Sequence, residues 1–203
     1  AFFAGSITSV IALFLNFNAR FDAKRSSEEI NNFVSMGYAV PGLILANGIT
    51  QLLTYIDYIL FSTGLIVTGS LLGLIFAYVI KSYALSNNVI QSSYKQFSTD
   101  IDDSARTLGS NKRKLLFNIH VPLLKTGLLT SFLLVVSEVV KELPATLILR
   151  PFNFDTLAVN VYLLASEERM YEAAFPALFI ILIGLIPIYF LSKMIDHSRN
   201  VNE

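Results

Sequence analysis

Glu138 and Glu142 stand four residues apart at the end of a stretch made of Leu, Val, Phe, Ser and Thr. One helical turn separates them, so on a continuous helix they share a face. Counted from Lys125 at about 1.5 Å per residue, Glu138 lies roughly 20 Å along such a helix. A carboxylate at that depth in an apolar segment is costly and marks a path for a polar species; the competing readings are an internal pair with Lys141 or Arg150, or a helix that ends early. The same logic singles out Asn47, Thr50 and Gln51, for which a helix facing only lipid has no use. Tight packing through the small pair Gly42 and Ala46 is the alternative there. Tyr55, Asp57 and Tyr58 form an oxygen-rich turn close by.

Other chemistries lack their residues. The sequence has no Cys, so thiolate metal sites, catalytic thiols and disulfides are excluded. No Gly-Lys pair occurs, so there is no phosphate-binding loop. Ser, His and Asp do not assemble a triad. The histidines are His120 and His197, too few and too far apart for a His metal cluster.

The elements that must position the polar residues are membrane spans. Of 203 residues, 54% are hydrophobic and 15% charged, against about 25% charged in an average soluble domain; mean hydropathy is +0.59. The formal net charge is zero, which argues against a nucleic-acid partner and, with this apolarity, against intrinsic disorder. Stretches of about 20 apolar residues, the length a bilayer requires, fall at Ala1–Phe17, Met36–Leu53, Tyr58–Ile80, Leu123–Pro144 and Ala173–Ser192. The expected fold is therefore all-α and integral to the membrane, with about five transmembrane helices in one domain over 1–203. The chain begins inside an apolar run, as if cut from a longer one. In the third span Gly69, Gly73 and Ala77 recur every four residues and read as a packing seam.

Of the 15 basic residues, all but Lys141, Arg150 and Arg169 fall in residues 18–35, the loop 81–125 or the C-terminal tail. Positive charge marks the cytoplasmic side, so that loop and the C-terminus are expected to be cytoplasmic, and the segment of about 145–172 external. External residues Asp155, Glu167, Glu168, Arg169 and Glu172 read mainly as a solvated face.

The loop is too long for a mere connection. Thr99 and Asp102 fit a capping box, and Asp100, Asp102 and Asp103 suit the positive end of a helix dipole. Ile101, Ala105 and Leu108 fall on one face, and Gly109 is placed for a left-handed C-cap. A second short helix follows, with Leu115, Leu116 and Ile119 as its apolar face and Pro122 at the start of the next span. Two short helices joined at a glycine, with an exposed apolar face, suit docking into a groove.

This run resembles the E-A-A loop signature of importer-type ABC permeases. Asp103-Ser104-Ala105 stands at the E-A-A place, Arg106-Thr107-Leu108 supplies the next three residues, and Gly109 the glycine. Ser110 to Asn118 gives the nine-residue spacer and Ile119-His120-Val121-Pro122 the close. Asp for Glu, Ser for the first Ala and Val for Leu are its departures. Lys141–Thr146, Leu149–Phe152, Phe154–Ala158 and Leu164–Glu168 are similar to the C-terminal half of ferric-iron ABC permeases. The resemblance implies a type I importer permease fold in which the loop helix is a cytoplasmic coupling helix. It implies a bacterial inner-membrane, multi-pass protein that is no enzyme itself and binds no cofactor, ATP and Mg residing on a partner. The implied partners are a cytoplasmic ABC ATPase dimer, an external or periplasmic ferric-iron-binding protein, and a second permease half or homologous subunit. Ferric ion is hard and prefers oxygen ligands, so Glu138 is the candidate metal contact, with Glu142, Asn47 and Gln51 along the path. Thiamine, an oxyanion or a polyamine is the rival cargo; an ATP-independent channel or carrier is the rival class, and the loop signature speaks against it.

Overall fold

The computed structural model describes residues 1–21, 26–60, 64 and 66–200; Lys24 and Arg25, counted above toward the charge asymmetry, lie outside them. No strand occurs among the described residues. The helices are α1 (Phe2–Phe21), α2 (Ser26–Ser35, extended by the turn Met36–Tyr38), α3 (Gly42–Ile59), α4 (Leu71–Tyr94), α5 (Asp100–Thr107), α6 (Lys112–Leu123), α7 (Lys125–Val140), α8 (Pro144–Leu149), α9 (Leu157–Ser166) and α10 (Met170–Asn200).

By length and apolarity alone, Phe2–Phe21 and Met170–Phe190 can cross a membrane. The number reaches four if each of two bent pairs is one span: Glu28–Tyr38 with Gly42–Ile59, bent by 113°, and Lys112–Leu123 with Lys125–Val140, bent by 72°. The long helix α4 is the centre of the bundle, packed by α1, α2, α3, α7 and α8. It tolerates Lys81, Ser82, Ser86 and Asn87 because they face protein, not lipid. Of the five expected spans, those now seen as α1, α3, α7 and α10 fall in these four crossings; α4, the helix of the third, does not reach the length and apolarity of a span.

The third span needs correction. The apolar run Tyr58–Ile80 is not one helix: α3 ends at Ile59 and α4 begins at Leu71. Asp57 reverses the chain, its carboxylate accepting from the amides of Val67 (2.6 Å) and Thr68 (2.9 Å). Gly69 takes φ +71°, a left-handed conformation that suits glycine, and Ser70 caps α4 by accepting from the Gly73 amide. The seam is thus Gly73 and Ala77 without Gly69; a Cβ on Gly73 would lie 2.6 Å from Leu53 Cδ1. Thr54–Asp57, read as part of a turn, is the last part of α3. Residues 81–94, read as loop, are the second half of α4, so the connection to the signature helix starts only at Lys95.

Two apolar cores share this frame. One gathers Ala46, Ile49, Leu53, Leu74, Ala77, Val135, Val139 and Leu149; the other gathers Leu13, Phe17, Tyr83, Ile90, Ala105, Leu115 and Leu124. Between them a polar ladder crosses from α1 to α4 and α7: Ser9 to Ser131 at 3.0 Å, Ser131 to Ser86 at 2.6 Å, and Asn16 to Asn87 at 2.7 Å. Inside a bilayer such interhelical hydrogen bonds contribute about 0.6 kcal/mol each and fix helix register.

Candidate functional site

The signature helix α5 forms where expected, but its start differs from the capping box. Thr99 makes no side-chain cap; Ser98 Oγ accepts from the Asp100 amide instead. Asp102 is free for another role. It is 3% exposed, its carboxylate accepting from Arg20 Nε of α1 and, at 2.7 Å, from His120 Nε2 of α6. A carboxylate only accepts, so this contact places a proton on Nε2 of His120. The other ring nitrogen meets the Tyr94 hydroxyl at 3.2 Å, and Phe17 packs edge-on against the ring. Arg20 spends its remaining donors on the carbonyls of Tyr94, Phe97 and Ser98. One buried cluster therefore ties α5 to α1, α4 and α6.

The buried face of α5 is Asp102 and Ala105; of the apolar residues expected on an exposed face, Ile101 and Leu108 are exposed and Ala105 is buried. Asp103, Ser104, Arg106, Leu108 and Gly109 are exposed, Leu108 at 87%. Arg106 folds over the Phe21 ring at 4.5 Å. Gly109 has φ +81°, and the hydrogen bonds Ser110 N to Ala105 O and Gly109 N to Arg106 O close a Schellman cap. The second short helix is α6, capped by Asn111. It holds a wider π turn over Leu115–His120, closed by the Val121 amide on the Leu116 carbonyl. Leu115, Leu116 and His120 are buried, Ile119 half-buried and Pro122 exposed.

The path residues are dispersed. Helix α7 stops at Val140, ahead of Pro144, so Glu138 and Glu142 do not share a helix face. Glu138, 26% exposed at its side chain, pairs with Lys141 at 2.8 Å. Glu142 turns inward to Lys81 of α4, a residue that sequence reasoning had placed in the loop, and its other oxygen accepts from the Ala145 amide at 3.1 Å. Asn47 and Gln51 lie exposed on α3, opposite its buried Ala46, Ile49 and Leu53. Thr50 is spent on the Ala46 carbonyl. Among the described residues no three His, Cys, Asp or Glu side chains gather as a metal site.

Arg150 and Asp155 pair across the turn between α8 and α9. Glu167 and Glu172 flank Arg169 and raise its already high pKa through hydrogen bonds and charge. Asp102, Arg20, Tyr94 and Lys81 were the site residues that sequence reasoning missed or assigned elsewhere. Their signal was a charged or polar side chain inside a helix that turns out to be buried.

Residues 5–200 match the family described as "Binding-protein-dependent transport system inner membrane component", and the chain belongs to that family. It is 29% identical over 157 residues to the Fe(3+)-transport system permease protein FbpB 2 of Haemophilus influenzae, a match covering 77% of this chain and 29% of that protein. The chain thus spans less than a third of that relative's length. Its fold is shared with a chain of a bacterial alginate ABC transporter, crystallised in complex with alginate pentasaccharide-bound periplasmic protein. There the TM-score is 0.72 at 15% identity, covering 99% of this chain and 74% of the other. The architecture is that of an ABC permease, integral to the inner membrane and multi-pass.

Proposed function

We propose that this chain is the permease part of an ATP-driven importer that moves ferric iron across the bacterial cytoplasmic membrane by alternating access. The observation that carries the reading is the division of α5 into two faces. Asp102 and Ala105 bind it to the membrane helices, with Arg106 laid over Phe21 of α1, while Asp103, Ser104, Leu108 and Gly109 stand exposed for a partner. A helix built this way receives force on one side and passes it on at the other.

The partner on the free face is a cytoplasmic ATPase dimer carrying ATP and Mg, the α5 end and the C-terminus being cytoplasmic as the segregated basic residues suggest. A binding protein on the opposite side delivers the cargo, and a second permease half completes the path. Nucleotide closing the ATPase pair favours one arrangement of α5, and the coupling is the difference in its affinity for the two states. Asp102 then carries Arg20 and His120 with it, and through them α1 and α6. Iron as cargo is supported by the relative named for Fe(3+) transport.

The test is purification of the intact transporter with its binding protein. An ATPase that copurifies, and a binding protein that holds ferric ion, are expected. A binding protein that holds an oxyanion, thiamine or a polyamine and no iron overturns the cargo; absence of any ATPase overturns the importer.

A further inference from the structure

Two of the helix breaks in this bundle meet. The chain bends by 113° between Tyr38 and Gly42, with Pro41 extended at φ −54° and ψ 134° as it enters α3. It breaks again between Val140 and Pro144. Both breaks converge on the middle of α4. There Lys81 pairs with Glu142, their side chains only 17% and 8% exposed.

Several contacts bind the junction. Glu142 Oε1 accepts from the first amide turn of α8 at Ala145. Thr146 donates to the Glu142 carbonyl at 2.7 Å, so its hydroxyl accepts from Tyr78, also at 2.7 Å. Tyr78 and Lys81 are three residues apart on one face of α4. Gly42 is closed in by the same groups. A Cβ there would lie 3.0 Å from Glu142 Oε1, 3.0 Å from Lys81 Nζ and 3.2 Å from Pro144 Cβ.

An ion pair at this depth needs a reason. Replacing a buried pair by apolar side chains is often neutral or stabilising, so stability alone does not call for it. Broken helices in a membrane are tolerated only where protein or a wet cavity satisfies their ends. Glu142 does that for α8 by accepting from its Ala145 amide, and the pair closes against Gly42 at the start of α3.

We propose that Lys81 and Glu142 are the latch of the intramembrane gate. In the arrangement described here they hold the start of α3 and the start of α8 against α4, and the transport stroke separates them. This rests on the importer reading and adds a gate residue pair to it. Lys81 and Glu142 are positioning residues; they need not touch the cargo.

The sequence contains no Cys, so a single introduced thiol is the one thiol of this chain and its labelling is read on this chain's band. Ala145→Cys, at a fully buried position beside Glu142, is placed in the assembled transporter in proteoliposomes. Its alkylation rate is read nucleotide-free and after trapping with ADP and vanadate. The latch predicts a change of about tenfold or more between the two states, the scale of a typical allosteric coupling. Equal protection in both states overturns it.

The second variant is the double substitution Lys81→Met with Glu142→Gln, read by cargo uptake per ATP hydrolysed. The latch predicts retained ATPase docking with uptake per ATP lowered about tenfold; wild-type coupling shows a merely structural pair and overturns it. Loss of assembly leaves the thiol measurement to decide. If the wild-type assembly shows no ATP hydrolysis or vanadate trapping, the importer reading itself fails, separately from the latch.

Discussion

Arg20, in the last turn of α1, donates through Nε to the buried carboxylate of Asp102 in α5. The two lie 82 positions apart, and their contact makes the loop helix an extension of the first membrane helix. Force applied to the exposed face of α5 therefore has a stiff route into the bundle, with His120 and Tyr94 as a second arm.

Asp102→Asn keeps the size of the side chain and removes its charge, leaving Arg20 without a counter-ion. Breaking a buried pair in this way costs about 3 kcal/mol. Thermal unfolding of the detergent-solubilised transporter is expected to shift downward, and ATP hydrolysis to lose its dependence on cargo. Unchanged stability and unchanged coupling would show that the cluster transmits nothing.

Gly109 has nothing within 4 Å of its would-be Cβ, so only its φ of +81° restricts it. Val at this position costs about 1–2 kcal/mol of backbone strain, whereas Asn tolerates the left-handed region. The amount of ATPase that copurifies should fall with Gly109→Val and stay near normal with Gly109→Asn. Equal retention by both variants removes the cap from the docking account.

Gly127 and Ser93 set the approach of α7 to α4. A Cβ on Gly127 would come within 2.9 Å of Ser93 Cβ, a backbone-proximal atom that cannot rotate away. Gly127→Ala should destabilise by about 1–3 kcal/mol, the range for overpacking, and Ser93→Gly in the same chain should restore most of it. The check is the melting temperature of both single variants and the double.

Asn47 and Gln51 lie on the open face of α3, and Glu138 contacts only its neighbour Lys141 among the ion pairs described. Asn47→Leu, Gln51→Leu and Glu138→Gln should therefore leave ATPase docking intact and slow uptake. Uptake at the wild-type rate in any of them takes that residue off the path.

Much of this was legible in the sequence. The spacing from Asp103 to Pro122 located the loop helix, its glycine cap and the second helix, because those signals are local. Hydropathy located α1 and α10, both long and apolar enough to cross a membrane. It misplaced the third span because a turn inside an unbroken apolar run leaves hydropathy unchanged; the reversal is encoded in Asp57, Gly69 and Ser70. Lys81 read as the first residue of a loop because a lysine at the end of an apolar run resembles a membrane boundary. Its partner, Glu142, is 61 positions away, and a pairing of that range has no local signature. Asp102 likewise read as a helix-dipole charge, since nothing beside it in sequence announces Arg20.

The central claim is that ATP hydrolysis on a partner drives cargo through this chain by way of α5. The most direct measurement is uptake of radioactive ferric iron, presented on its binding protein, into proteoliposomes holding the assembled transporter, with and without ATP on the α5 side. Uptake that requires ATP, and that falls with Gly109→Val, is the predicted result. Iron flux that proceeds at the same rate without ATP would contradict the account.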